Sequence, residues 1–321
     1  MTRSTGSSNS GSCTATVTVN RQGEHVMSLS VGFIGLGNMG GRMSQRLIAA
    51  DIPMVGYDPN PAQNEFWAVP RADSIAELVA ASDVVLFSLP NSGVVETVVY
   101  GDDGVLANCR EGQIIIDMTT ASPASSRKIA TDLAAKGAFF LDSGVSGGAP
   151  SAGNGTLIVM VGGDADALAK VGDVLAPLVK TVHHMGASGS GHTAKLINNF
   201  LNGVSLSATA EAMVVAKQAG LDLVQMLEVL NASSGMNFAT VNRFPRIVEG
   251  DYLEGGLSGA LMEKDLHLYV ELARDMGVPA LNAHGSIATF QVANGLGYID
   301  KISNRVVDAI GEYSGGVSIN E

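Results

Sequence analysis

The sequence has few cysteines, few aromatic residues and little positive charge. Its two cysteines, Cys13 and Cys109, lack the spacing of a disulfide framework or a metal site, which favours a reducing compartment and a cytoplasmic protein. The six histidines form no metal set either, so we expect no bound metal. The formal net charge is -12 and lysines and arginines are not clustered, so we expect neither a nucleic-acid partner nor a membrane partner. No apolar run is long enough to cross a bilayer.

Hydrophobic residues make up 46% of the chain, and 321 residues are enough for two domains with their own cores. Residues 1–27 differ from the rest, because serine, threonine, glycine and asparagine dominate them, and we predict a disordered tail there. Two alternatives remain open for this segment. One is a start codon assigned too early, before Met27, and the other is a serine-rich, acid-poor transit peptide.

Short apolar runs alternate with helical stretches from residue 31 to about residue 185. This alternation predicts an α/β fold with a Rossmann-type, doubly wound parallel sheet that has helices on both faces. The predicted strands are 31–34, 53–57, 84–88, 114–117, 138–141, 157–161 and 181–184. In such a sheet, ligands bind beyond the carboxyl ends of the strands.

The pattern becomes purely helical after Gly191. One long helix is predicted over 193–219, followed by shorter helices to residue 312. We therefore divide the chain into a sheet domain over 28–190, an all-helical domain over 191–313 and a loose tail over 314–321.

The first predicted strand ends in a glycine-rich turn. Gly35, Gly37 and Gly40 stand between this strand and a helical stretch, and the next predicted strand ends at Asp58. Strand, glycine turn, helix, strand and acid in this order are typical of a dinucleotide-binding unit, whose pyrophosphate sits on free amides at the helix N-terminus. Asp58 can accept hydrogen bonds from the adenosine ribose and would repel a 2′-phosphate. No arginine follows before Arg71, so the sequence favours NAD over NADP.

A second motif begins the predicted long helix. Lys195, Asn199 and Asn202 are spaced four and three residues apart, so they share one helix face. A lysine one turn from an asparagine is suited to proton transfer beside a carbonyl group, and the alternative is a solvated polar face. His192, at the start of the helix, is interpreted as a hinge residue. The remaining positions are apolar and are expected to pack inward: Leu196, Ile197, Phe200, Leu201 and Val204.

Two further segments carry candidate binding residues. Consecutive small residues expose backbone amides that can form an anion-binding nest in Asp142-Ser143-Gly144-Val145-Ser146-Gly147-Gly148. The Ser146 hydroxyl adds another donor there, and a flexible turn is the alternative. Lys264 lies on a predicted helix, where it either reaches the bound dinucleotide or forms a surface ion pair with Asp265 or Glu263.

These motifs, in this order, resemble the β-hydroxyacid dehydrogenase family from about residue 30 to about residue 312. The resemblance implies an NAD-linked oxidoreductase that interconverts a small β-hydroxy acid and its semialdehyde or oxo acid. The activity would be of the 3-hydroxyisobutyrate dehydrogenase or 2-hydroxy-3-oxopropionate reductase type. It also implies a long interdomain helix and a homodimer or homotetramer formed through the helical domain.

The resemblance assigns roles to individual residues. Lys195 matches the catalytic lysine of the family. The residues that match its substrate-binding positions are Ser146, Gly147, Gly148 and Asn199. Those that match its cofactor-binding positions, together with the acid at the end of the second strand, are Gly35, Leu36, Gly37, Asn38, Met39, Gly40, Asp58, Leu89, Pro90, Thr120 and Lys264.

Two departures from the family pattern leave the substrate open. Asp142-Ser143-Gly144 stands where the family usually has Asp-Ala-Pro, and the loop that ends at Phe238 lacks a tryptophan often found there. The alternatives are a relative acting on L-threonate, L-serine or a sulfonated aldehyde, or a non-catalytic dinucleotide-binding module that acts through interactions. We expect the pocket wall to include Phe238, Asn242, Arg246 and Leu257.

Overall fold

Seven short strands form one sheet, in the order β2-β1-β3-β4-β5-β6-β7, in the computed structural model, which describes residues 29–320. The predicted N-terminal tail lies outside the described residues. The strands are β1 (Val31–Ile34), β2 (Met54–Tyr57), β3 (Val84–Phe87), β4 (Ile114–Asp117), β5 (Phe139–Ser146), β6 (Leu157–Gly162) and β7 (Val179–Gly186). β1, β3 and β4 are buried along their whole length, as expected of strands that helices cover on both faces. The predicted Rossmann-type sheet is confirmed.

Helices connect and cover these strands. They are α1 (Asn38–Ala49), α2 (Ala62–Trp67), α3 (Ile75–Ala81), α4 (Ser92–Tyr100), α5 (Val105–Asn108), α6 (Pro123–Ala134), α7 (Gly148–Asn154), α8 (Ala165–Lys170) and α9 (Gly172–Leu175). Alternate residues of a strand face opposite sides of the sheet. Val31 and Phe33 therefore join the core that includes α1, whereas Ile34 joins the core on the other face.

The sheet departs from the predicted all-parallel arrangement at one pair of strands. β5 and β6 are antiparallel, with Asp142 opposite Gly162 and Ser146 opposite Ile158, whereas the other neighbouring strands are parallel. β5 also continues to Ser146 instead of ending at residue 141, so the small residues 142–146 lie in a strand. The short helix α7 reverses the chain between β5 and β6, and the antiparallel pairing provides main-chain partners for these residues.

The chain beyond β7 is helical, as predicted. It consists of α10 (Ser190–Gln218), α11 (Leu223–Asn231), α12 (Phe238–Asn242), α13 (Phe244–Ile247), α14 (Gly259–Asp275), α15 (Leu281–Ala293), a π-type turn (Asn294–Tyr298), a 3-10 turn (Ser303–Arg305) and α16 (Val306–Tyr313). Phe244, Leu266 and Phe290 are fully buried in the core that these helices share. Of the helices within residues 29–320, none is both long and apolar enough to cross a membrane.

The loose tail predicted over 314–321 is wrong for residues 314–320. Ile319 is only 5% exposed and belongs to the helical core, against which Val317 also packs. Asn320 donates a hydrogen bond to the Tyr252 hydroxyl at 2.5 Å. The two apolar side chains of this segment hold it against the core. They are too few to form a helical or strand periodicity, so the sequence pattern does not reveal them.

One buried carboxylate fastens the start of α10 to β5. Asp142 accepts hydrogen bonds from the main-chain N–H groups of Gly189, at 2.6 Å, and His192, at 2.8 Å. Its negative charge lies at the N-terminus of the helix, where free amides and the helix dipole favour it. A Cβ atom on Gly191 would overlap the main-chain oxygen of Asp142, so the helix approaches the strand too closely for any side chain at that position.

Replacing this carboxylate should weaken the junction. We expect Asp142→Asn to lower the free energy of unfolding by roughly 2–4 kcal/mol, because the neutral amide keeps one acceptor and leaves a buried N–H group without a partner. The measurement is the thermal unfolding midpoint, which we expect to fall by roughly 5 °C or more. Asp132→Asn, at the more exposed ion pair with Lys128, is the control and should change little. An unchanged midpoint in Asp142→Asn would mean that the carboxylate does not fasten the helix.

Candidate active site

The turn between β1 and α1 has the geometry of a phosphate cradle. Gly35 has a φ angle of 91°, which favours glycine, and a Cβ atom on Gly40 would overlap the Gly35 carbonyl oxygen. α1 begins at Asn38 without a side-chain cap, and a Cβ atom on Gly37 would meet nothing within 4 Å. The helix therefore packs closely on the turn while its amide-lined N-terminus stays open. This arrangement fits the pyrophosphate of a dinucleotide.

Asp58 lies beside this turn at the end of β2. Its Oδ2 accepts a hydrogen bond from the Leu36 N–H at 2.8 Å, and its Oδ1 accepts one from the Asn60 N–H at 2.9 Å. The carboxylate is thus held at the edge of the cradle, where an adenosine ribose would lie. The side chains of Leu36 and Met39 pack against the core, so the turn offers main-chain groups rather than these side chains.

Arg71 comes nearer to Asp58 than the sequence separation suggests. The chain returns along β2 after α2, and Arg71 forms a parallel bridge with Gly56, two residues before Asp58. The Arg71 guanidinium lies 3.8 Å from Asp73 and is well exposed. The absence of an arginine between residues 58 and 71 is therefore a weaker argument against NADP in the folded chain than in the sequence.

The predicted cofactor residues after β3 and β4 meet Lys264 from the helical part of the chain. The N–H of Leu89, which precedes the exposed Pro90, donates to the Thr119 hydroxyl at 3.1 Å and so ties the two strand ends together. Lys264 Nζ donates to the carbonyl oxygen of Thr120 at 2.9 Å. A lysine of α14 thus crosses to the edge of the sheet where a dinucleotide would bind.

Lys195 is buried where α10 packs against β5. Only 8% of the residue is exposed, and a Cβ atom on Gly144 would overlap the Lys195 side chain. Burial lowers the pKa of the Lys195 amine, attraction to Asp265 opposes that effect, and repulsion from Lys264 adds to it. A lysine with a lowered pKa can give and take a proton under milder conditions than a solvated one.

The amide of Asn199 is held by a residue that the sequence analysis treats only as an ion-pair partner. Asn199 Nδ2 donates to Asp265 Oδ2 at 2.5 Å, and both side chains are buried. Asp265 also lies 3.2 Å from Lys264 Nζ, so Lys264 forms the ion pair expected as one alternative, although with a buried rather than a surface carboxylate, and its contact with a dinucleotide stays a prediction. A signal was available in the sequence, because Asp265 shares one face of α14 with Met262 and Leu266. A carboxylate on an apolar helix face becomes buried when the helix packs, so it needs a hydrogen-bond or ion-pair partner.

Ser146 ends β5, and Gly147 and Gly148 form the turn that follows. Both glycines have positive φ angles, of 124° and 66°, which other residues rarely adopt. Ser146 is two residues beyond Gly144 and therefore lies on the strand face that meets Lys195. The predicted nest is limited to this strand end, because the residues before it are paired with β6. A short glycine turn on the lysine side of β5 remains, and it suits a carboxylate.

His192 is buried and hydrogen-bonded rather than free to act as a loose hinge. Its ring Nδ1 lies 2.8 Å from the Ser126 hydroxyl, and its main-chain N–H is held by Asp142. Asp117 at the end of β4 is also buried, and burial raises the pKa of its carboxyl while attraction to His192 offsets part of that rise. Asp117 was not predicted from the sequence, although a carboxylate at the end of an apolar strand was a signal for it. The junction between the sheet part and the helical part of the chain is therefore a packed polar cluster.

Part of the prediction for α10 is wrong. Leu196 is buried as expected, but Ile197 is 45% exposed and Leu201 is 59% exposed. The sheet and the other helices cover this helix incompletely, so some of its apolar side chains remain uncovered.

A phosphate cradle and a buried lysine with a lowered pKa lie at the same edge of a Rossmann-type sheet. Among residues 29–320, no group of three or more histidine, cysteine, aspartate or glutamate side chains is placed to hold a metal ion. Fold and site together define the class of dinucleotide-dependent oxidoreductases.

Comparison with known proteins narrows this class. Residues 30–186 match the family model described as the NAD binding domain of 6-phosphogluconate dehydrogenase. Residues 189–306 match the model described as NAD-binding of NADP-dependent 3-hydroxyisobutyrate dehydrogenase. The 2-(hydroxymethyl)glutarate dehydrogenase of Eubacterium barkeri is 33% identical over 91% of this chain and 98% of its own length. The mitochondrial 3-hydroxyisobutyrate dehydrogenase of Mus musculus is 34% identical over 88% of this chain and 87% of its own length.

A solved structure agrees with these matches. The 3-hydroxyisobutyrate dehydrogenase of Mycobacterium tuberculosis with L-serine has a TM-score of 0.81 and 31% identity, covering 88% of this chain and 99% of that chain. The chain belongs to the β-hydroxyacid dehydrogenase family. It is an NAD(P)-dependent dehydrogenase acting on CH–OH groups, as the resemblance in sequence implies.

The charges around Lys195 set the direction of the expected pH dependence. The sequence predicts that the neutral amine of Lys195 accepts a proton during alcohol oxidation, so we expect kcat to rise with pH through the pKa of Lys195. Lys264→Met removes a repulsion that lowers this pKa, so we expect the rising limb to move to higher pH. Asp265→Asn removes an attraction that raises the pKa and should move the limb to lower pH.

The measurement is kcat against pH at saturating substrate and cofactor. Lys128→Met, at an exposed lysine paired with Asp132, is the control and should leave the limb in place. A limb that moves in the same direction in both active-site variants, or that does not move at all, would exclude Lys195 as the titrating group.

Proposed function

We propose that this protein is an NAD-linked dehydrogenase of a small β-hydroxy acid, of the 3-hydroxyisobutyrate dehydrogenase or 2-hydroxy-3-oxopropionate reductase type. The observation that carries the proposal is the burial of Lys195 against β5, one turn from an asparagine that a carboxylate holds in place. Relatives named for 3-hydroxyisobutyrate and 2-(hydroxymethyl)glutarate support it. Both compounds carry a hydroxymethyl group on the carbon that bears a carboxylate.

The residues of the site divide the chemistry between them. The substrate carboxylate binds the main-chain amides of Gly147 and Gly148 and the Ser146 hydroxyl. Asn199, held by Asp265, orients the substrate hydroxyl toward Lys195. When bound, the nicotinamide cofactor provides the hydride chemistry in both directions. Lys195 takes the hydroxyl proton during oxidation and returns a proton to the carbonyl oxygen during reduction.

L-Serine is the second candidate substrate. The matched Mycobacterium tuberculosis structure contains it, and L-serine has the same arrangement of hydroxymethyl and carboxylate groups. L-Threonate and sulfonated aldehydes are further candidates from the sequence. We do not propose the non-catalytic alternative, because the family is one of dehydrogenases and this chain retains both Lys195 and Asn199.

We propose NAD rather than NADP as the cofactor. The support is the carboxylate of Asp58, which lies at the edge of the glycine turn and would repel a 2′-phosphate. Arg71 is a nearby cation that argues the other way, and it faces Asp73.

We also propose a homodimer or homotetramer formed through the helical part of the chain. Leu201 and Val215 on α10 and Val224 on α11 are each more than half exposed, and exposed apolar side chains on neighbouring helices suit a subunit interface. The free thiol of Cys109 supports the cytoplasmic location expected from the sequence.

Lys195→Met tests the catalytic assignment. We expect kcat to fall by roughly two or more orders of magnitude, because a positioned acid–base group is lost, while NAD binding stays unchanged. The measurement is NAD reduction with 3-hydroxyisobutyrate, 2-(hydroxymethyl)glutarate, L-serine and glycerate, with Lys128→Met as a control at a distant lysine. Full activity in Lys195→Met would remove the lysine from the mechanism. A wild-type protein that binds NADH but oxidises none of these acids would contradict the proposed function.

Asp58→Ala tests the choice of cofactor. We expect NAD affinity to fall by about tenfold or more, since charge-assisted hydrogen bonds to the ribose are lost, while NADP affinity stays the same or improves. Asp58→Asn keeps an acceptor for the Leu36 N–H and serves as the control for the shape of the turn. Arg71→Ala should leave NAD binding unchanged. A wild-type protein that prefers NADP, and loses that preference in Arg71→Ala, would reverse the assignment.

A further inference from the structure

Arg243 is a partly buried cation without a carboxylate partner in the described part of the chain. It stands between α12 and α13, and burial lowers the pKa of its guanidinium to about 10. Within residues 29–320, no aspartate or glutamate lies within ion-pair distance of it. Arg246, only three residues further on, is exposed and paired with Asp251. A charge that is partly removed from water gains from an anionic partner, so Arg243 is suited to bind an anion.

Neutral groups hold the guanidinium in place. Arg243 Nη1 donates to Asn304 Oδ1 at 2.8 Å, and Nη2 donates to Asn202 Oδ1 at 2.9 Å. The guanidinium carbon lies 5.7 Å from the centre of the exposed Phe238 ring. These two bonds occupy two of the five N–H donors of a guanidinium, so donors remain for a further acceptor.

The position of Asn202 relates Arg243 to the candidate active site. Asn202 shares one face of α10 with Lys195 and Asn199. Lys195 and Asn202 are two turns apart, about 10 Å along the helix axis, and helical side chains lean back toward the N-terminus. The guanidinium therefore lies beyond Asn199 along the same helix face. Phe238 and Arg246 are predicted to line the pocket. In the structure, it is Arg243 that lies over the Phe238 ring.

Neither the ion pair of the site nor its proposed carboxylate contact involves Arg243. Lys264 lies 3.2 Å from Asp265, and the proposed function assigns the substrate carboxylate to the turn at 146–148. A substrate with a single carboxylate would leave Arg243 without a counter-charge.

We propose that Arg243 binds the second carboxylate of a dicarboxylic β-hydroxy acid. This inference rests on the proposed function and names its substrate class: acids in which an arm of a few methylene groups carries a distal carboxylate. A planar guanidinium binds a carboxylate through two parallel hydrogen bonds, and desolvation strengthens such a contact. Arg243 is then the residue that determines substrate specificity, at the far end of the helix face that carries Lys195.

A purely structural role makes a different prediction. Through Asn202 and Asn304, Arg243 connects α10 with the turn before α16. If it only fastened these elements, its loss would impair every substrate equally. The two roles are therefore separated by comparing substrates that differ only in the distal carboxylate.

The kinetic test uses 3-hydroxyisobutyrate, 2-(hydroxymethyl)glutarate and the analogue of the latter whose distal carboxylate is a carboxamide. We expect the wild-type protein to prefer the diacid to the carboxamide by roughly tenfold or more in kcat/KM. Arg243→Gln should lower kcat/KM for the diacid by roughly 10- to 100-fold and leave 3-hydroxyisobutyrate within about threefold. Arg243→Lys should fall between the two, and Arg274→Gln, at an exposed arginine beside Asp275, should change neither substrate. Equal losses on all substrates, or no preference in the wild-type protein, would overturn the proposal.

A binding measurement separates this proposal from the proposed function. Glutarate and glutaramate are titrated calorimetrically into the full chain with NADH, which requires no turnover. We expect glutarate to bind at least about tenfold more tightly than glutaramate, and this difference to vanish in Arg243→Gln. Equal affinities in the wild-type protein would refute the anion site whether or not any hydroxy acid is oxidised. Absence of oxidation with the glutarate preference intact would contradict only the dehydrogenase assignment.

Discussion

The contact between the Asp142 carboxylate and the first turn of α10 determines the rest of the site. Two main-chain N–H groups, those of Gly189 and His192, are held by this one side chain. Because the helix is regular from Ser190 to Gln218, fixing its first turn also fixes which residues face the strand ends. The face that carries Lys195 is set in this way, so a carboxylate that touches no substrate decides where the candidate base lies.

The second constraint is the shared carboxylate of Asp265. Lys264 and Asn199 both use it directly, and Lys195 feels its charge. A buried carboxylate with a cation and an amide as partners avoids most of the cost of desolvation. Lys195 forms none of the ion pairs found among residues 29–320, and burial lowers the pKa of its amine. The fold thus gives its two neighbouring lysines different environments. Lys264 is paired with a carboxylate, whereas Lys195 is suited to proton exchange.

The two parts of the chain contribute different kinds of groups. The sheet offers mainly main-chain amides, at the glycine turn after β1 and at the strand end of β5, together with the carboxylate of Asp58. The helical part offers long side chains, of which Lys264 reaches back to Thr120. Because these groups converge only when α10 and α14 are packed on the sheet, binding and proton transfer depend on the same interface that stabilises the fold. In the proposed substrate complex, the spacing along α10 between Lys195 and Asn202, which holds Arg243, sets the length of substrate that fits.

Features that depend on near neighbours in the chain could be predicted from the sequence. The apolar strands, the glycine spacing of Gly35, Gly37 and Gly40, and the shared helix face of Lys195 and Asn199 all follow from local periodicity, and the structure has each of them. Other features could not be predicted from the sequence: the antiparallel pairing of β5 with β6, the burial of Ile319, the hydrogen bond between Asn199 and Asp265, and the placement of Arg243 between Asn202 and Asn304. Each of these depends on a partner distant in the chain. The pattern of a segment records which face is apolar, but the identity of the group that meets that face is set only when the chain packs.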